Sequence, residues 1–219
     1  MKLLLTSAGV KNATIERTLV ELLGKPIEES SALFVPTASW GHHNFAGVYR
    51  TISGRSPMRM IQLGWKSLGV LELTALPTLA RDAWVPAVEE TDALLVGGGD
   101  AVYLAHHARA CGLAELVPSL ANVWVGLSAG SMVLTPRIGA DFMTWQPPDG
   151  ADETLGVVGF SIFPHVDHPD LPENTMAEAE RWAATLGNPA YAIDDDTAIT
   201  VVDGAVGVVS EGNWRLFAG

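Results

Sequence analysis

The chain has 219 residues, 48% of them hydrophobic and 17% charged, a balance that calls for a large buried core and excludes a disordered, collagen-like or coiled-coil chain. The formal net charge is −12, from 25 acidic and 13 basic residues, and with no local Lys/Arg cluster that field argues against nucleic acid as a partner. The single cysteine, Cys111, excludes an intrachain disulfide and a cysteine-based zinc site, and no apolar run approaches the ~20 residues that span a bilayer.

The first residues, Met1–Leu5, reach polar Thr6 and Ser7 too soon for a secretion signal, so a first strand over Leu3–Leu5 and a cytoplasmic protein are expected. A helix follows through Ile15–Leu23, with apolar residues at 15, 19, 22 and 23, and then a strand at Ala32–Val35, stopped by Pro36. Next come an expected helix through Met58–Leu68, strands at Val70–Leu73 and Ala93–Val96, and a helix at Val102–Cys111 in which Cys111 reads as a packing residue. Val123–Val125 is a strand leading straight to Ser128, and Phe160–Phe163 is another. Unalternated apolar runs separated by helical segments imply a parallel sheet buried on both faces, hence an α/β fold with helices on each side. The last third differs: Ala190–Ile193, Ala198–Val202 and Ala205–Val209 are short strands divided by Asp194-Asp195-Asp196 and by the hairpin dipeptide Asp203-Gly204. They read as an antiparallel extension of the same domain. No linker, repeat or low-complexity tract interrupts residues 1–219, so one domain is expected.

Two glycine-rich turns carry chemistry. In Gly126-Leu127-Ser128-Ala129-Gly130 the G-x-S-x-G spacing sets a serine on a tight strand-to-helix turn, and the helix that opens at Ala129 offers free N–H groups to negative charge. The string alone arises often by chance; its weight comes from the strand before it and the helix start after it. Gly97-Gly98-Gly99-Asp100 follows the strand at Ala93–Val96 and lacks the Lys and Ser/Thr of a phosphate loop. Paired with the serine turn, it reads as half of an oxyanion hole, with the Ala129 N–H as the other half; a plain turn is the alternative. A serine nucleophile needs a base. Of the six histidines, His42 and His43 fall in a polar loop and His106 and His107 in a helix, whereas His165 follows Pro164 at a strand end, where α/β sheets carry catalytic groups. Chelation of a metal by His165, Asp167 and His168 is the competing reading, weakened because an extended i, i+2, i+3 spacing splays the three side chains.

Taken in order, the Gly-Gly-Gly-Asp turn, the Gly-Leu-Ser-Ala-Gly-Ser elbow and Pro164-His165 resemble the peptidase E family of aspartyl dipeptidases, whose fold is like that of class I glutamine amidotransferases. Pro36-Thr37-Ala38-Ser39 and Leu171-Pro172-Glu173 extend the likeness over most of the chain. The resemblance implies Ser128 as nucleophile, His165 as base, and N–H groups of Gly98 or Gly99 with Ala129 as the oxyanion hole. It implies a carboxylate between serine and histidine, for which Asp141 is the nearest match and Asp149 and Asp152 are rivals. It also implies an arginine downstream of the histidine that pairs with substrate aspartate. Arg181 lies near that place, in a segment (Asn174–Arg181) that departs from the local motif, so a narrow specificity other than aspartate is the alternative.

The expected activity is hydrolysis of short peptides through an acyl-enzyme, with no cofactor or metal, in a monomer or homodimer. The alternatives are an esterase, a cyanophycinase-like isopeptidase, or a binding protein that keeps the scaffold without turnover.

Overall fold

The computed structural model describes residues 1–148 and 150–219. In chain order the elements are β1 (Lys2–Thr6), α1 (Ala13–Leu23), β2 (Ser31–Val35), α2 (Ala38–Gly41), α3 (Phe45–Ile52), β3 (Ser67–Val70), α4 (Val85–Glu90), β4 (Ala93–Val96), α5 (Ala101–Cys111), α6 (Leu113–Leu116), β5 (Val123–Leu127), α7 (Ala129–Met132), β6 (Ser161–Phe163), α8 (Met176–Leu186), β7 (Ala190–Ile193), β8 (Thr197–Val202), β9 (Ala205–Ser210) and β10 (Trp214–Phe217).

A seven-stranded sheet runs in the order β3-β2-β4-β5-β1-β8-β9. Its first five strands are parallel, and β8 and β9 are antiparallel additions on β1. The unalternated apolar runs have the expected cause: both faces are covered. Leu3, Leu5, Leu94, Val96 and Trp124 enter one core layer, while Leu4, Leu95, Val123 and Val125 enter the other. Successive side chains of a strand point to opposite faces, so a strand with core on both sides has no polar position to alternate with. Cys111 is buried in the first layer, and burial pushes its thiol pKa up, as suits a packing residue. No helix among the described residues is long and apolar enough to cross a membrane.

Three expectations are corrected. The segment expected as a helix from Met58 is irregular, and the strand after it is Ser67–Val70 rather than Val70–Leu73. Gly54 and Gly64 adopt positive φ on either side of Met58, and the backbone bonds outward: Val10 N–H donates to Arg59 O at 2.8 Å and the Trp65 indole to Met60 O at 2.8 Å. Met60 and Trp65 are buried by tertiary contact instead of helical period. Second, Ala190–Ile193, grouped with Ala198–Val202 and Ala205–Val209 from the sequence, does not pair with them. It is the centre of a second sheet, β10-β7-β6, parallel to β6 and antiparallel to β10. Third, α8 was not expected. Thr175 caps it by accepting from Glu178 N–H, Gly187 ends it at φ 72°, and Trp182, Ala183 and Leu186 pack on the small sheet.

Candidate active site

Strands β4, β5 and β1 are adjacent and in register (Val96↔Gly126, Thr6↔Leu127), so the two glycine turns leave the sheet side by side at its carboxyl edge, where open α/β sheets build sites. Ser128 has φ 51° and ψ −111°, a conformation that a side-chain-bearing residue holds only under constraint. The constraint is visible. Ser128 N–H donates to Thr6 O at 2.9 Å. One residue pair staples the end of β1 to α7: Ser131 Oγ donates to Thr6 O and accepts from Thr6 N–H, each at 2.8 Å. The motif glycines are sterically required, because a Cβ on Gly126 would lie 2.6 Å from Gly130 O and one on Gly130 would run into Val96 O.

Beside this elbow, Gly98 is close enough that an added Cβ would lie 3.5 Å from Ser128 Cβ. Gly98 O accepts from Ser39 Oγ at 2.8 Å; since the peptide is trans and planar, the Gly99 N–H of the same unit is held on the opposite side. The N–H groups of Gly98, Gly99 and Ala129 have no acceptor among the described residues. Asp100 anchors the next turn. It is fully buried, caps α5 by accepting from Tyr103 N–H at 2.8 Å, and takes Thr144 N–H at 3.0 Å and Trp145 N–H at 2.6 Å on its other oxygen.

His165 follows β6 and has φ 57°. Its N–H donates to Ser7 Oγ at 3.1 Å, which ties it to the end of β1. The carboxylate on its ring is Asp195, whose Oδ1 is 2.7 Å from Nδ1, both side chains being only 13–14% exposed. The geometry follows from topology: β6 and β7 are parallel neighbours with Phe163 opposite Ala192, so residues just beyond each strand emerge together. His168 Nε2 lies 3.5 Å from the other oxygen, Oδ2. Burial raises the Asp195 pKa, but the His165 hydrogen bond and the charges of His165, His168 and Lys11 outweigh it, and the net shift is downward.

The other candidate carboxylates sit elsewhere. Asp141 lies in a short 3-10 turn, exposed, and makes no bond to His165. Asp152 is bonded to Arg137 at 2.9 and 3.1 Å and accepts from Gly139 N–H; Asp149 is outside the described residues. Arg181 is on the surface of α8, paired with Glu178 one turn away. The sequence did carry a sign of Asp195, the three aspartates closing the strand Ala190–Ile193, but they read as a turn.

Ser128, His165 and Gly97–Gly99 line one cavity of about 330 Å³. Ser128 and His165 do not hydrogen-bond to each other in this structure, a bond that in many hydrolases tightens only with substrate bound. Arg181 and Asp141 are not part of the lining. Among the described residues, no three His, Cys, Asp or Glu side chains cluster as metal ligands would.

Two solved structures are similar in fold. A candidate peptidase E protein of Listeria monocytogenes EGD-e is 20% identical, with a TM-score of 0.70 over 96% of this chain and 98% of that one. A peptidase from an acI-B1 Actinobacterium is 19% identical, with a TM-score of 0.68 over 100% and 91%. No match was found among curated proteins. The sequence profile of Peptidase family S51 matches residues 3–209, nearly the whole of the α/β unit that carries the two glycine turns and the histidine, and the chain belongs to that peptidase family.

Proposed function

We propose that the protein is a serine peptidase that hydrolyses short peptides through a Ser128–His165–Asp195 triad. The observation that carries this reading is the partly buried Asp195–His165 hydrogen bond, made at the wall of the same cavity in which Ser128 sits on a strained elbow. His165 Nδ1–H donates to Asp195, which fixes the tautomer and leaves Nε2 to take the Ser128 proton as the hydroxyl attacks the scissile carbonyl. The N–H groups of Gly98 or Gly99 and of Ala129 receive the developing oxyanion. His165 then returns the proton to the leaving amine, and water, deprotonated by the same imidazole, releases the acyl group from Ser128.

Substrate size follows from the cavity. About 330 Å³ is at the small end of ligand sites and suits a di- or tripeptide rather than a folded chain. Among the described residues its lining contains no Asp or Glu, so none of them would pair there with the arginines of a cyanophycin-like polymer, which disfavours that alternative.

A fluorophosphonate probe tests the proposal. Covalent labelling at Ser128, together with dipeptide hydrolysis that disappears in Ser128→Ala, supports it; a folded protein that neither labels nor hydrolyses any dipeptide of a library refutes it.

A further inference from the structure

Every lysine and arginine side chain except Arg50 and Lys66 makes a hydrogen bond, an ion pair or a ring contact among the described residues. Lys66 does not line the cavity; Arg50 does. Arg17, Arg55 and Arg109 also lack a carboxylate partner but are engaged by Thr14, the Tyr49 ring and Thr154 O; among the described residues Arg50 is the one arginine whose side chain is engaged by nothing, and its surroundings sharpen the point. Apart from histidines, Arg50 is the sole ionisable side chain among the described residues lining the cavity, and the other polar groups near it, those of Asn44, Thr51 and Ser56, are neutral.

The helix accounts for the placement. Asn44, Gly47, Arg50 and Thr51 line the cavity, a spacing of three and four residues that defines one face of α3. Phe45, Tyr49 and Ile52, on its other sides, are exposed. Gly47 adds no side chain between Asn44 and Arg50. Arg50 also stands in the last turn of α3, where a cation is favourable to the helix dipole, so the position costs the fold little while leaving the guanidinium unpaired.

We infer that Arg50 reads a carboxylate on the substrate and is a specificity-determining residue of this site. Guanidinium matches carboxylate geometry with two parallel N–H donors, and no acid among the described lining residues competes for it. The carboxylate has two possible sources, the free C-terminus of a short peptide or an acidic side chain. The inference rests on Ser128 being the nucleophile.

The test measures protection of Ser128 against fluorophosphonate labelling, which needs no turnover. Leu-Leu is compared with Leu-Leu-amide, and Asp-Leu-amide with Asn-Leu-amide, on wild type and on Arg50→Gln. The substitution is exposed and removes no contact, so folding is not at issue. Wild type should be protected by one member of a pair about tenfold better or more, the modest figure reflecting a solvent-accessible arginine, and the preference should vanish in Arg50→Gln. A preference within the first pair identifies the C-terminal carboxylate; within the second, the acidic side chain. No preference in wild type, or one that survives Arg50→Gln, overturns the inference while leaving Ser128 as nucleophile intact. Failure of Ser128 to label overturns the functional reading, and this inference with it.

Discussion

Nδ1 of His165 lies 2.7 Å from Oδ1 of Asp195, thirty residues further along the chain, because their strands are parallel neighbours whose carboxyl ends meet. If Asp195 orients the imidazole and stabilises its charged form, Asp195→Asn should lower kcat by about 10⁴-fold with little change in KM, since the amide favours the wrong tautomer. Asp141→Asn should stay within a few-fold of wild type. Steady-state kinetics on a cleaved dipeptide check both; the reverse result would return the acid to Asp141.

His168 shares that carboxylate at 3.5 Å, through Oδ2, and its Nδ1 accepts from Asp170 N–H. It supports Asp195 and does not line the cavity. His165→Ala should therefore lose about 10⁴-fold or more in kcat, and His168→Ala only about tenfold, as expected for a weak contact to a group already held by a stronger one. Equal losses would assign His168 a direct part in the chemistry.

At the elbow, the serine is dispensable for folding but its flanking glycine is not. Ser128→Ala should keep the melting temperature within about 2 °C of wild type, as a surface-accessible hydroxyl leaves no core cavity. Gly130→Ala drives a methyl group into Val96 O and should cost about 3 kcal/mol or more, between overpacking and forced backbone displacement. Thermal melts of the two variants side by side distinguish them.

Asp152 ties the chain after α7 to Arg137 and Gly139. Burial raises its pKa, but the Arg137 hydrogen bond, the Gly139 N–H and the Arg137 charge lower it further, so it is depressed in the fold. A carboxylate whose folded pKa lies below its unfolded value of about 3.9 stabilises above that pH, and the contribution is lost as pH falls through the folded pKa. Asp152→Asn should melt below wild type at pH 7, and the gap should close as the pH drops below about 4. A gap independent of pH would mean that the carboxylate's charge contributes nothing.

The parallel sheet was legible because its strands are apolar on both faces, and the serine elbow because Gly126 and Gly130 are required by atoms only a few residues or one strand away. Asp195 was not legible. Its partnership with His165 depends on β7 lying beside β6, and a run such as Ala190–Ile193 is equally compatible with either sheet. The helix α8 was within reach: Thr175 and Glu178 have capping-box spacing before an amphipathic run, and Gly187 follows. Arg50 was beyond reach in a different way. Its place at the cavity follows from where α3 packs, and an arginine in an exposed helix has no sequence signature of what it faces.

The three consecutive aspartates have one further consequence. Asp196 is held by Lys11 and Asn12, and Asp194 exchanges bonds with the backbone of Asn213, just before β10. The turn that presents Asp195 is thus closed by a residue that leaves the ribosome long after Ser128 and His165. A nascent chain can form the elbow and still lack an oriented base. In the proposed triad the acid is thus set in place by a segment made after all three of its members, and the proton relay is complete only once that segment has docked.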